Sequence, residues 1–264
     1  MRFECFGKKK AVWKCTKCGL VQLLPQWTDK QLDKLYEGYN KKQDFAGAKP
    51  KKTITKYLKK YIKKTDSVLE IGAGNGDNLL YLYGQGYHHV MGIDKDPELG
   101  IGIAKLSFNE FVEMCPNTKF DFIYGIQVLE HIADPVDFVS KVINQLTDGG
   151  RFLFEIPNLE EPLLTIYKNK AFEKFYWYPY HLFFYDPNAI LAILHKASSG
   201  QPFFITRYQR YGLINHLRWA IFNKPGNWNP NIPVLDWIYK SVLKYVFKKT
   251  DTMIIEGYKW PRKV

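Results

Sequence analysis

The chain is expected to fold as an α/β domain: a doubly wound, mostly parallel seven-stranded sheet with an N-terminal cysteine-containing extension and an insertion between strands 6 and 7. Three observations lead there. Val68-Leu69-Glu70-Ile71-Gly72-Ala73-Gly74-Asn75-Gly76-Asp77 reads as a strand running through a glycine turn into a helix. Gly92-Ile93-Asp94 reads as a second strand ending on a carboxylate, and short apolar runs then alternate with helical segments. A glycine turn lets a ligand approach the backbone, and an acid closing the next strand can hold two ribose hydroxyls, so this half of the sheet is expected to bind a nucleoside.

Each element has its own local reason. Residues 1–25 suggest a small β-rich element around Cys15-x-x-Cys18-Gly19, and Thr28 to Tyr39 can cap and form a helix with Leu32, Leu35 and Tyr36 on one side. Ile54, Tyr57, Leu58, Tyr61 and Ile62 repeat at helical spacing with lysines between them. Strands 1 to 5 are expected at Ser67–Ile71, His89–Ile93, around Lys105, Phe120–Tyr124 and Arg151–Ile156, with connections after Asn75, Asp96, Asn109, Pro135 and Leu159. Gly149-Gly150 is read as the turn before strand 5. Phe203–Tyr208 and Thr252–Lys259 supply strands 6 and 7, and the long stretch between them carries helices at Asn215–Phe222 and Val234–Lys248. Residues 1–50 are therefore expected as an accessory segment and 51–264 as the main domain, its insertion at about 209–250.

Charge is divided along the chain. Of a formal net charge of +12, residues 1–64 contribute 18 Lys/Arg against 5 Asp/Glu, residues 65–166 contribute 5 against 16, and residues 167–264 contribute 15 against 5. An acidic nucleoside-binding segment thus lies between two basic ones, which suits a phosphorylated substrate or a polyanion and equally a solvated surface. The lysine clusters lack interleaved aromatics, so nucleic acid is not the expected partner. Four cysteines in a chain this long do not make a disulfide scaffold, and Cys5, Cys15 and Cys18 fall short of a tetrahedral zinc set, so no metal is expected. With no uninterrupted apolar run of about 18 residues and no signal-type N-terminus, a cytoplasmic protein without an integral membrane segment is expected, of unknown oligomeric state.

Glycine spacing narrows the ligand. A dinucleotide fingerprint needs its third glycine one residue later than Gly76, where Asp77 stands, and Glu70 would repel a pyrophosphate while accommodating a cationic methionine headgroup. S-adenosylmethionine fits better than NAD. With Phe120-Asp121-Phe122-Ile123 and Val128-Leu129-Glu130-His131-Ile132-Ala133-Asp134-Pro135 added, the chain resembles the class I S-adenosylmethionine-dependent methyltransferases over roughly residues 50–264. That resemblance implies a cofactor site of Glu70, Gly72, Gly74, Asn75, Gly76, Asp94 and Lys95, with Phe108, Ile126 and Gln127 flanking adenine, and S-adenosylhomocysteine as product. The usual acid near the adenine amine is absent from Leu106-Ser107-Phe108-Asn109. The stretches His181–Tyr185 and Arg207–Trp219 resemble bacterial methyltransferases of capsule, lipopolysaccharide and nucleotide-linked sugar biosynthesis.

Methylating a hydroxyl requires collinear approach and removal of a proton, for which a neutral imidazole serves near pH 7. His131 and His181 are candidate bases read equally as structural histidines, and His216 is a third candidate, read more as a residue of the insertion's core. Arg207 and Arg210 are candidate phosphate clamps, with Tyr178, Tyr185, Tyr211 and Asn215 lining an acceptor pocket. The expected reaction is O-methylation of a small phosphorylated or nucleotide-linked sugar. An RNA or protein methyltransferase and a catalytically inactive cofactor-binding partner are the alternatives.

Overall fold

The computed structural model describes residues 2–5, 10–17, 19–36, 60–96, 102–177, 180–224 and 232–260. Apolar β-formers at Val68–Ile71 (β4), Val90–Asp94 (β5), Ile103–Lys105 (β6), Phe120–Ile126 (β7) and Leu146–Pro157 (β8) join Phe203–Tyr208 (β10) and Thr252–Tyr258 (β11) in one mostly parallel sheet, ordered β10-β11-β8-β7-β4-β5-β6. The chain runs outward from β4 to β6 and then returns to β7 on the other side of β4. That reversal opens a crevice at the carboxyl ends of the two central strands. Parallel register aligns those ends: Ile71 pairs with Ile93 and with Gly125, so Gly72, Asp94 and Ile126 lie at one edge.

Two compact units are resolved. The first comprises Trp27–Phe154, Leu194–Phe204 and Glu256–Val264. Helix α1 (Asp29–Tyr36) starts where Thr28 and Gln31 cap each other reciprocally, and residues beyond Tyr36 in the expected helix lie outside the described part. Of the stripe from Ile54 to Ile62, only Lys60 onward is described. Helix α2 (Asp77–Gly84) buries Leu79 and Leu82, α3 (Phe108–Met114) buries Phe108 and Phe111, and α4 (Pro135–Asn144) buries Phe138, Val139, Val142 and Ile143. Phe108 meets Phe138 edge-on at 5.2 Å, and Phe138 meets Phe154 at 5.5 Å. Each such buried ring contributes about 1.5–3 kcal/mol. Asp121 ties three elements together by accepting from the Ser67 amide and hydroxyl and from the Thr147 hydroxyl. Burial alone would raise its pKa, but these hydrogen bonds outweigh burial and the pKa falls below the usual carboxylate value.

The second unit comprises Met1–Gln26, Glu155–Ile193 and Ile205–Ile255. Its strands β1 (Arg2–Cys5), β2 (Lys10–Lys14) and β3 (Val21–Leu24) form an antiparallel meander, completed by β9 (Phe183–Phe184) through Val21 opposite Phe184. Short helices α5 (Pro162–Thr165) and α6 (Lys170–Tyr176) are capped by the Glu161 and Asn169 side chains, and α7 (Pro187–Ala197) begins at Asp186. The insertion forms α8 (Leu213–Phe222), α9 (Pro233–Ser241) and a π-helical turn at Val242–Val246. Cys15 follows β2, while Cys18 lies outside the described residues.

Three local expectations shift. Strand 5 begins at Leu146, so Gly149-Gly150 is a kink within β8, where Gly149 at φ 81° and its neighbour pair with Lys259. Helix α2 starts at Asp77 because Gly76, at φ 80°, cannot itself be helical. The second insertion helix gives way to the π turn at Val242. Among the described residues no helix is long and apolar enough to cross a membrane.

Candidate active site

The turn after β4 holds an open backbone. Gly72, Gly74 and Gly76 have φ of 72°, 57° and 80°, a region that side chains rarely occupy. A Cβ on Gly72 would meet Val128 Cγ2 at 2.6 Å, and one on Gly76 would meet Ile103 Cδ1 at 2.9 Å. Asp94 Oδ2 accepts from the Gly74 amide at 2.8 Å while Oδ1 accepts from the Asp96 amide at 2.8 Å, which fixes the carboxylate at the edge beside the turn. Asn75 and Asp77 hydrogen-bond each other, and Lys95 is exposed beyond Asp94. Glu70 lies deeper, 2% exposed, with Oε1 accepting from Asn78 Nδ2 at 2.7 Å. Opposite it on β7, the Tyr124 hydroxyl is buried beside this carboxylate, and burial followed by the Glu70 charge raises the phenol pKa far above its usual value.

The neighbouring strand end is strained. Gln127 has φ 58°, sparsely populated for a residue with a side chain, a conformation that typically costs about 1–3 kcal/mol and gathers at ligand sites. A 3-10 turn at Leu129–His131 follows, with Glu130 buried and the His131 side chain 15% exposed, its Nε2 4.0 Å from Glu130 Oε1. Ile126 is 8% exposed at the tip of β7. Phe108 is packed against Phe138, so its ring belongs to the core beneath α3 and α4.

In the other unit, His216 lies wholly inside on α8, where its Nδ1 shares a 2.5 Å hydrogen bond with Tyr239 Oη. Tyr239 Oη in turn lies 2.9 Å from Tyr167 Oη, and the Tyr167 residue is 38% exposed. On the other side of the ring, Nε2 stands 3.6 Å from Glu161 Oε1. Burial, then the charge of Lys240, lowers the His216 pKa to about 4, and burial raises those of Glu161 and Tyr239. Burial therefore disfavours the charged form of both His216 and Glu161. Below them Asp251, also raised by burial, accepts from the Arg210 and Tyr211 amides, Gln209 Nε2 and Thr252 Oγ1.

These contacts correct the expected acceptor pocket. Arg210 pairs with the fully buried Glu155, and Arg207 shares Glu160 with Lys249, so both guanidiniums are already matched by carboxylates of the chain. Tyr185 is 1% exposed and stacks on Phe183, and Asn215 is buried in α8, because the apolar contacts of β9 and α8 draw both inward. His216 cannot stand at a pocket mouth, since its ring is enclosed and reaches an exposed group only through Tyr239 and Tyr167. Tyr211 remains 45% exposed, and His181 is half-buried beside Phe184. Tyr178 lies outside the described residues. Tyr239 and Glu161 were not anticipated; the only local signal is the helix-capping Glu161-Pro162 pair.

A methyltransferase-domain family profile matches residues 41–198, more than half of the chain. The chain belongs to that methyltransferase family. It is 30% identical over 101 residues to a tRNA U34 carboxymethyltransferase of Shewanella pealeana, covering 34% of this chain and 31% of that protein. The corresponding Haemophilus influenzae protein is 30% identical over 113 residues, covering 38% and 35%. The chain thus spans about a third of the length of the curated relatives it matches. An Archaeoglobus fulgidus S-adenosylmethionine-dependent methyltransferase shares the fold at TM-score 0.54 and 17% identity, over 78% of this chain and 91% of that one. A Burkholderia thailandensis 1,6-didemethyltoxoflavin-N1-methyltransferase, solved with S-adenosylhomocysteine, aligns at TM-score 0.55 and 12% identity, over 98% and 99%.

The residues at these strand ends fit S-adenosylmethionine, the cofactor named for the Archaeoglobus fulgidus neighbour. The three left-handed glycines keep side chains off the turn where the amino-acid portion would run, Asp94 presents acceptors for a ribose diol, and Ile126 and Gln127 close the same strand edge. When bound, the cofactor supplies an electrophilic methyl group on a sulfonium.

Proposed function

We propose that this methyltransferase methylates a hydroxyl oxygen, in the first reading that of a small nucleotide-linked or phosphorylated sugar. The observation that carries the oxygen assignment is the hydrogen-bonded series from half-exposed Tyr167 through Tyr239 to neutral, enclosed His216. In this reading the acceptor hydroxyl gives its proton to Tyr167, and S-adenosylmethionine, when bound, would supply the methyl group. Tyr167 passes its own proton to Tyr239, and Tyr239 passes one to His216 Nδ1. Each hydroxyl ends with one proton, and the imidazole gains one. The sugar assignment is supported by the likeness of His181–Tyr185 and Arg210–His216 to sugar methyltransferases; with Arg207 and Arg210 engaged, an acceptor phosphate needs other cations.

A second reading is an RNA acceptor. The tRNA-modifying names of the curated relatives favour it, as do the basic segments. One experiment separates the readings: protein and S-adenosylmethionine carrying a labelled methyl are incubated with pooled nucleotide sugars and, separately, with total RNA. Label in a sugar fraction, with the mass gain of one methyl group, supports the first; label only in RNA overturns it. Label in neither pool, with cofactor bound, rejects both. His216→Ala is expected to lower kcat by about 10²–10⁴ at unchanged cofactor affinity.

A further inference from the structure

The insertion carries a large apolar surface that faces solvent. On α9 and the π turn, Val234, Trp237, Tyr245 and Val246 are 69–70% exposed, and on α8 Ile221 and Phe222 are 65% and 61% exposed. Isolated exposed apolar side chains are ordinary, but adjacent helices presenting this many mark an interaction surface. The inward side of the same segment is satisfied: Leu243 is buried, Tyr239 engages His216, and Lys240 Nζ donates to the Arg210 carbonyl. The outward apolar face is therefore not left over from a failure to pack.

Charge identifies what covers it. Between Leu213 and Lys249 the chain has six basic residues and one acid, Asp236, whose carboxylate is taken up by the Leu213 amide. Lys248 is exposed at the C-terminal end of the surface, Lys244 stands 5.2 Å over the Tyr245 ring, and Lys224 is exposed just after α8. Aliphatic side chains with Trp and Tyr among them, bordered by lysines, are the composition of a segment lying in a lipid–water interface. A second copy of the chain would bring Lys224, Lys244 and Lys248 against the same three cations. Nucleic acid would leave Val234, Ile221 and Val246 without partners, since these side chains neither stack well on bases nor bond phosphates.

We infer that α8, α9 and the π turn form a peripheral docking surface for an anionic lipid bilayer. The apolar residues enter the headgroup and acyl boundary while the lysines meet lipid phosphates. The inference is independent of the acceptor's identity.

The test is co-sedimentation of the full chain with phosphatidylcholine vesicles that contain or lack phosphatidylglycerol. Binding is expected only to the anionic vesicles and should weaken as salt rises. The double variant Trp237→Ser/Val246→Ser, both exposed positions, should lose at least tenfold in affinity, and Lys244→Gln/Lys248→Gln should lose binding at moderate salt; circular dichroism and thermal melts confirm that both remain folded. Absence of vesicle binding, equal binding to both compositions, or unchanged binding by the folded variants overturns the inference. Light scattering that shows a dimer abolished by Trp237→Ser/Val246→Ser, without vesicle binding, reassigns the surface to self-association and likewise overturns it.

Discussion

Gly72 is the position where a single methyl group has the clearest consequence. Its φ of 72° and the 2.6 Å approach to Val128 Cγ2 act together, since an alanine would incur left-handed strain and steric overlap at once. Gly72→Ala should destabilise the protein by about 2–4 kcal/mol and abolish cofactor binding, read by thermal melting and by titration calorimetry with S-adenosylhomocysteine. His216 makes a prediction in pH. Its folded-state pKa of about 4 lies below the ordinary 6.5, so the unfolded chain binds the extra proton between those values and stability falls as pH drops through that window. His216→Gln removes this dependence, so the stability difference between wild type and variant should shrink on acidification from pH 6.5 to 4, followed by urea unfolding. If His216 is the base, the acid limb of kcat/KM should likewise appear near pH 4 rather than 6.5. Glycines 72, 74 and 76 and Asp94 were legible in the sequence because strand, turn and next strand tie their positions to spacing. The neutral His216–Tyr239 pair was not, because 23 residues and two helices separate partners that only tertiary packing brings together.

Among the elements, α4 begins where Pro135 marks it, while α3 begins at Phe108, ahead of the helix expected after Asn109. Ser107 accepts from the Glu110 amide and Glu110 returns a hydrogen bond to the Ser107 amide, so α3 begins where its capping box begins. Ser107→Ala should cost about 1 kcal/mol, visible in denaturant midpoints with little change in cofactor affinity. Elements whose ends depend on distant partners were misjudged. Strand β8 extends back to Leu146 because Lys259 pairs around the glycine kink, a contact made across 109 residues. Strand β9, only two residues long, exists because β3 offers an edge to it. Neither signal is local, and periodicity cannot find them.

For the molecule as a whole, the first 26 residues are held to the second half of the chain by both backbone and apolar contacts. Val12, Val21 and Leu23 are at most 6% exposed, so removing residues 1–26 withdraws about 5–9 kcal/mol of burial, taking roughly 1.5–3 kcal/mol per side chain. Such a truncation should melt at markedly lower temperature or fail to accumulate as soluble protein, which calorimetry and yield would record. The fold class and the positions of most strands were visible in the linear chain, since repeated local patterns encode them. The partners of Arg207 and Arg210 were not, since pairs such as Arg210 with Glu155 follow no spacing rule. The pairing of Val21 with Phe184 also bears on biosynthesis. A nascent chain must carry its leading hairpin with one open hydrogen-bonding edge until about 160 further residues have left the ribosome, an interval in which that edge is exposed to other chains.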